Sequence, residues 1–566
     1  MLELLRRLAI RPGLTTELIG ASLFANMLAL ATPLFVIQVL NRYVAHGVDA
    51  TLMTLSTGAL IAIALEFGFR QIRHRLARGV SAGQDDKLSV SGFGLLTTAK
   101  SGALDRLPPG QQREFMSGLD TIRAAYGATN VGAVLDLPFA FLFLGVLAIL
   151  SPTLALIAAT FTGVAFFAGL AVMLSIRGNN KRLIDETRKS NLLVGSAVGE
   201  KDTLRAFNGS AFLLRAWHAQ ARVIHEISRR IIGRQGLMSS FSTTIVALMS
   251  VAIMTAGAVM VVAGHMDVGV LIGANILSAR ALQPVTKFVQ VGESFQKAKQ
   301  AAQQLREFMK LPRESDTGSA KRDYQGALEF RDLGFVHEGA AGPLFESMSL
   351  SIPAGAVCVV SGANGTGKST LARLIIGLID PSRGQILADG LDLRQVHPAW
   401  WRRQVVYLPQ EPGFLNATIG ENLSLLDPDI DDAGLNRVID AAGLRPFLDE
   451  TPAGFDTPIV SNGRNLALGV RRRLALARAL TADGKLVVLD EPIEGLDAKG
   501  RETIANVLGE LHRAGRTIIA LSHDPDIINN AQMVIDLNQK PEPSIVTVPR
   551  PVESGGDGNW NSGAPG

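Results

Sequence analysis

Apolar and polar positions divide the chain into two unlike halves. Six apolar runs occupy the first: Leu18–Leu40, Leu52–Phe69, Val131–Leu150, Leu154–Ile176, Thr243–Gly264 and Val268–Phe288. Each is about 18 to 23 residues long, the length a helix needs to cross roughly 30 Å of hydrocarbon. They group into three hairpins, which predicts six membrane-spanning helices. Between hairpins lie two segments of about sixty residues with helical character, 70–130 and 177–240, the first interrupted near Pro108–Gly110. These are expected to be membrane helices that continue into the cytosol and turn back. Phe115–Arg123 and Arg205–Trp217 are expected at their tips as short helices facing a second domain. From Leu311 to Gln325 the chain turns polar and is expected to be a linker. The tail from Pro541 onward is rich in Pro, Gly, Ser and Asn and is expected to be disordered.

Charge orients this pattern. Segments 70–130 and 177–240 carry nine and twelve Lys plus Arg, whereas the short turns within hairpins carry only Arg42. Lys and Arg accumulate on the cytoplasmic side, so both termini and both long segments are placed there. Composition agrees: 47% of residues are hydrophobic and only 19% charged, against about 25% charged in soluble domains. A net charge of +4 is small for this length and argues against nucleic acid as a partner. The single Cys358 excludes an internal disulfide, and its apolar neighbours predict a buried thiol. Ionisable residues inside the spans are costly. Asp136 and Glu66 are expected to snorkel near cytoplasmic ends, and Arg280 either faces a cavity or forms a local ion pair. Pro284 is expected to kink the last span.

The second half carries chemistry. Gly362-Ala363-Asn364-Gly365-Thr366-Gly367-Lys368-Ser369 is a complete P-loop pattern, preceded by an apolar β-branched run and followed by a helix-like segment from Thr370. Its glycines let backbone N–H groups curl around phosphates, and Lys368 reaches the terminal ones. Ser369 is expected to ligate Mg²⁺. Farther on, an apolar strand ends in Asp490-Glu491. Asp490 is placed to hold Mg²⁺ and Glu491 to act as general base toward the attacking water. His523, after another apolar run, is placed to hydrogen-bond the γ-phosphate.

These marks come in an order: the P-loop, Gln410 within LPQEPGFLNATIGENL, RRRLALARAL, LDEP, GLD and SHD. They resemble the ATP-binding cassette, and with six spans ahead the chain resembles an ABC exporter half-transporter. The membrane stretches 135–158 and 268–285 look like the type I secretion transporters of Gram-negative bacteria, in the branch exporting metalloproteases and RTX-like proteins. The resemblance covers roughly residues 15–540; no peptidase-like domain precedes the first run, which fits that branch. It implies a six-helix transmembrane domain (18–310) after a cytoplasmic segment (1–17), then an α/β P-loop cassette domain (326–540). It also implies a multi-pass inner-membrane location and ATP with Mg²⁺ as cofactors. Gln410 is similar to the glutamine that links Mg²⁺ to the membrane domain. His337 occupies the place where an aromatic stacks on adenine, and Asp497 resembles an aspartate at the cassette dimer interface.

The chain departs from the family at the signature, usually Leu-Ser-Gly-Gly-Gln. Here it reads Leu466-Ala467-Leu468-Gly469-Val470, and the preceding Gly-Glu-Gly-Gly becomes Ser461-Asn462-Gly463-Arg464. In the family this segment binds the γ-phosphate held by the opposite subunit. Ala467 lacks the hydroxyl, Leu468 is bulky where glycine permits close approach, and Val470 lacks the amide. The expectation is a subunit of an asymmetric heterodimer, with a weak ATPase when alone. The implied partners are a second half-transporter, a periplasmic membrane-fusion adaptor, an outer-membrane channel and a secreted protein substrate. Export of a small peptide or lipid, or an ATP-binding membrane regulator, are the alternatives.

Overall fold

A computed structural model describes residues 2–44, 47, 49–107, 109–319, 323–337, 339–340 and 342–547. The chain forms two compact units: the first runs to Leu311, and the second starts at Pro312 and also takes in Lys100–Gly102.

Among the described residues of the first unit, six helical segments are long and apolar enough to cross a membrane. They are Pro12–Val44, Asp49–Thr98, Met116–Leu150, Pro152–Gly199, Ser210–Val262 and Val268–Phe308. The six expected spans are therefore present, embedded in longer helices. Asp49–Thr98 has 50 residues, about 75 Å at 1.5 Å per residue, so some 45 Å extends beyond the hydrocarbon. Two spans are interrupted where proline removes a donor and crowds the carbonyl four residues back. The first breaks at Ala29–Leu30, four residues before Pro33, and the third at Leu137–Pro138. The last helix runs on through Pro284, which is buried.

Long-range polar contacts lock these helices together. Asn41 caps the last one, its Oδ1 accepting from Gly269 N–H at 3.0 Å while its Nδ2 donates to Asp267 at 3.1 Å. Gly273 is where that helix packs directly on Ile37, whose side chain fills the space a Cβ would need. Asp136 does not snorkel. It is buried, accepting from Arg73 at 2.5 Å and from Asn26 at 3.1 Å, so an ion pair replaces water. Glu66 pairs with Arg70 at 2.7 Å and lies 3.9 Å from Arg280, and Arg280 also lines a small cavity beside Asp136 and Lys287, so both readings offered for it hold. A separate helix over Arg205–Trp217 does not form. Asn208 adopts a left-handed φ of 51°, ending the short helix Lys201–Ala206, and Ser210 opens the 53-residue helix. Phe115–Arg123 lies within the helix Pro109–Ala125.

The second unit contains two sheets. Strands β1 (Leu328–Phe335), β2 (Phe345–Ile352), β4 (Arg383–Ala388) and β5 (Leu391–Asp392) form an antiparallel sheet in the order β2-β1-β4-β5. Strands β3 (Val357–Ser361), β6 (Val405–Leu408), β7 (Leu486–Asp490), β8 (Thr517–Leu521), β9 (Met533–Asp536) and β10 (Ser544–Thr547) form the other, ordered β10-β9-β3-β8-β7-β6. All its pairings are parallel except β9 with β10. Strands β7 and β8 are buried at every position, as expected for parallel strands covered on both faces. Cys358, in β3, is fully buried, and burial pushes its thiol up to about 12. Strand β10 corrects the expected tail: ordered chain continues past Pro541 because 544–547 pairs with β9. Residues 548–566 of that tail lie outside the described residues.

Candidate functional site

Ligands of open parallel sheets gather beyond the carboxyl ends of the strands, and the candidate residues do the same. The P-loop follows β3, His523 follows β8, Asp490 ends β7 with Glu491 just after it, and Gln410 follows β6. These four strands are consecutive neighbours in the sheet. The topology thus brings together residues spread over some 160 positions of sequence.

In the P-loop, Gly365 and Gly367 have φ of 81° and 110°, values a side chain would strain. They turn the chain into the helix Lys368–Ile375, whose N-terminal dipole favours anions. Lys368 is buried, its Nζ 2.6 Å from the Gly362 carbonyl and 3.1 Å from Glu491 Oε1. Ala363 N–H is held by Asn538 Oδ1 at 2.9 Å and Thr366 Oγ1 donates to the Ala363 carbonyl at 2.8 Å. Asn364 and Gly365 stand exposed at the loop's tip, and Thr370 lies in the first turn of the helix.

Glu491 has a left-handed φ of 46°, held by its N–H donating to the Leu521 carbonyl at 2.8 Å. Strained non-glycine backbone of this kind persists where neighbours over-determine it. Its carboxylate is 3.0 Å from His523 Nδ1 and 3.4 Å from Ser522 Oγ. Asp490 beside it is buried with Oδ1 unpartnered. Burial raises its carboxyl above the usual range, opposed by a hydrogen bond from Ser369 and reinforced by Glu491. Ser369 Oγ also reaches Gln410 Oε1 at 3.3 Å. An orphaned carboxylate oxygen, a hydroxyl and an amide oxygen form an all-oxygen donor set, which fits Mg²⁺, a cation that keeps several waters and takes few protein ligands.

The signature segment lies at the start of the helix Leu468–Leu480. Ala467 and Leu468 are exposed, Gly469 is half-buried, and Ala467 stands at the N-cap without any side-chain cap bond. Val470 is half-buried against the core formed around Leu474 and Ile504. Asp497 caps the helix Ala498–Arg513, accepting from Gly500 N–H at 2.9 Å and from Arg473 at 2.8 Å; the Gly500 amide, then Arg473, hold its carboxyl below the usual range. His337 is exposed, edge-on to Phe335 with centroids 4.9 Å apart. Two side chains missed in the sequence join the site: Glu494 accepts from Gln410 Nε2 at 3.2 Å and from Arg472 Nη2 at 3.4 Å. Arg472 lies within RRRLALARAL and Glu494 in the two-residue gap between LDEP and GLD, so no motif position singles either out.

Comparison with known proteins follows the same division. The ABC transporter transmembrane region matches residues 16–285 and the ABC transporter model matches residues 345–494. The Toxin RTX-I translocation ATP-binding protein of Actinobacillus pleuropneumoniae is 28% identical over 92% of this chain and 73% of its own. The alpha-hemolysin translocation ATP-binding protein HlyB of Escherichia coli is 27% identical over the same shares. The leukotoxin export ATP-binding protein LtxB of Aggregatibacter actinomycetemcomitans is 27% identical over 92% and 74%. These names agree with the likeness to RTX-protein exporters seen in the membrane stretches. A solved bacterial Atm1-family ABC exporter with ATP bound shares the fold, with a TM-score of 0.77 at 20% identity and 94% of each chain covered. The two models between them account for both the spans and the phosphate-binding site, and the chain belongs to the ABC transporters, as a multi-pass membrane subunit that couples ATP hydrolysis to transport.

Proposed function

We propose that this chain is the inner-membrane ATPase subunit of a type I secretion system and exports an unfolded, RTX-like or protease-like protein. The names of its relatives support that substrate class. A periplasmic membrane-fusion adaptor and an outer-membrane channel complete the export route.

In this reading Gly362, Asn364, Gly365, Gly367 and Thr370 cradle the phosphates of ATP, and Lys368 neutralises the terminal ones. Ser369, Gln410 and Asp490 would hold Mg²⁺, which would supply charge neutralisation at the phosphates. Glu491 accepts the proton of the attacking water, and His523 hydrogen-bonds the γ-phosphate. A terminal phosphate would draw Lys368 away from Glu491, with which it now pairs at 3.1 Å, freeing the base. His337 contributes a small stacking face to adenine, and Asp497 stands at the cassette interface.

One observation carries the assembly. The hydrolytic side is complete, while Ala467, Leu468 and Val470 leave the signature without its hydroxyl, its close approach and its amide. Losing a hydrogen bond to a charged group costs about 1.5–3 kcal/mol, roughly ten- to a hundredfold. A homodimer would pair two sound P-loops with two impaired signatures. A heterodimer, in which a related subunit brings an intact signature over Lys368, Glu491 and His523, removes the mismatch. The test compares ATPase activity of this chain alone with that of the co-purified pair, expecting at least about a tenfold gain for the pair. Robust turnover by the isolated chain, unaffected by Leu468→Ala, would refute the heterodimer.

A further inference from the structure

The geometry points to Glu494 as a positioning residue for hydrolysis, one that sets which end of the Gln410 amide faces the Mg²⁺ site. This rests on the reading of Ser369, Asp490 and Gln410 as the oxygen ligands. A glutamine amide is nearly symmetric in shape, so its oxygen and nitrogen exchange places by a half-turn of the last bond. Only the oxygen is of use to Mg²⁺, a hard cation.

Ser369 cannot make the choice. Its hydroxyl, 3.3 Å from Gln410 Oε1, donates to an oxygen or accepts from a nitrogen with equal ease. Glu494 can. An ionised carboxylate only accepts, and Glu494 Oε2 lies 3.2 Å from Gln410 Nε2. The flipped amide would set a carbonyl oxygen against that carboxylate. Glu494 therefore turns Nε2 toward itself and leaves Oε1 toward Ser369.

Glu494 is half-exposed, with a side-chain exposure of 48%, so burial does not hold it in place. Arg472 does, from the helix that begins at the altered signature. Its side chain is 10% exposed, with Nη2 3.4 Å from Glu494 and Nη1 3.5 Å from the Glu491 carbonyl. The neighbouring turn is packed under the same helix. Gly495 has φ of 68°, and a Cβ there would stand 3.3 Å from Leu468 Cδ2 and 3.9 Å from the Arg472 guanidinium. A continuous run of contacts thus joins the signature helix to Ser369 through Glu494 and Gln410.

The test is equilibrium binding of a fluorescent ATP analogue to the purified full-length chain, titrated with Mg²⁺. In Glu494→Gln the new amide both donates and accepts, so it no longer chooses the orientation of Gln410. The Mg²⁺ concentration for half-maximal effect should rise about tenfold, the usual cost of losing a group that orients a metal ligand. Binding without Mg²⁺ and the melting temperature should stay as in the wild type. Adding Gln410→Glu to that variant should restore the wild-type Mg²⁺ dependence, because a carboxylate presents oxygen either way. An unchanged Mg²⁺ requirement in Glu494→Gln would overturn the inference. So would a parallel loss of Mg²⁺-free binding and melting temperature, which would make Glu494 a structural ion-pair partner only. A wild type whose binding ignores Mg²⁺ would instead remove the ligand reading of Ser369, Asp490 and Gln410, and the inference with it.

Discussion

Glu491 makes three side-chain contacts, with Lys368 at 3.1 Å, His523 at 3.0 Å and Ser522 at 3.4 Å. A glutamine at this position keeps the shape and can keep a partner but cannot take the water's proton. Glu491→Gln is therefore expected to bind ATP normally and to lose at least about a hundredfold in kcat, the scale of general-base catalysis. Lys368→Ala removes a buried cation from the phosphate site and should weaken nucleotide binding about ten- to a hundredfold instead. Nucleotide binding and phosphate release, measured side by side in the assembled transporter, separate the two roles. Wild-type turnover in Glu491→Gln would mean that another group is the base.

At the scale of elements, the membrane unit is held by charge as well as by apolar packing. Arg73, on the helix Asp49–Thr98, meets Asp136 at the end of Ala128–Asp136, with both side chains under 10% exposed. Removing one partner strands the other. Asp136→Ala should destabilise the unit by about 3–5 kcal/mol, whereas the apolar pair Arg73→Met with Asp136→Leu should recover most of that loss. Thermal unfolding in detergent reads both, and equal melting of Asp136→Ala and wild type would show the pair to be dispensable. The signature helix teaches the converse lesson. With alanine at its N-cap, a capping acceptor worth about 1 kcal/mol is missing.

For the whole molecule, two turns between successive spans are too short to cross a second compartment. Ser151 alone separates two helices, and Ala263–Asp267 separates two others. Five residues reach at most about 17 Å. In the proposed secretion role, export past the inner membrane would therefore pass to other proteins. Pull-down of the intact transporter in the presence of its secreted substrate should recover a periplasmic adaptor, and its consistent absence would count against the secretion role.

The spans and the candidate phosphate site were legible in the sequence for one physical reason. Crossing hydrocarbon needs a contiguous apolar length, and cradling phosphate needs glycines and a lysine at fixed local spacing, so both are written in consecutive residues. Asp490-Glu491 and His523 were legible because each closes an apolar strand. The pairing of Arg73 with Asp136, 63 positions apart, was not, and snorkelling was expected instead. Nor was the cap that Asn41 places on a helix beginning at Val268, the turn at Asn208 that moves 210–217 into a long helix, or β10 in the supposed tail. Gln410 and Glu494 are 84 positions apart. Contacts of this kind depend on which helix and strand ends the fold makes neighbours. Residue type and local spacing chose the chemistry; only the tertiary structure decided which charges would meet.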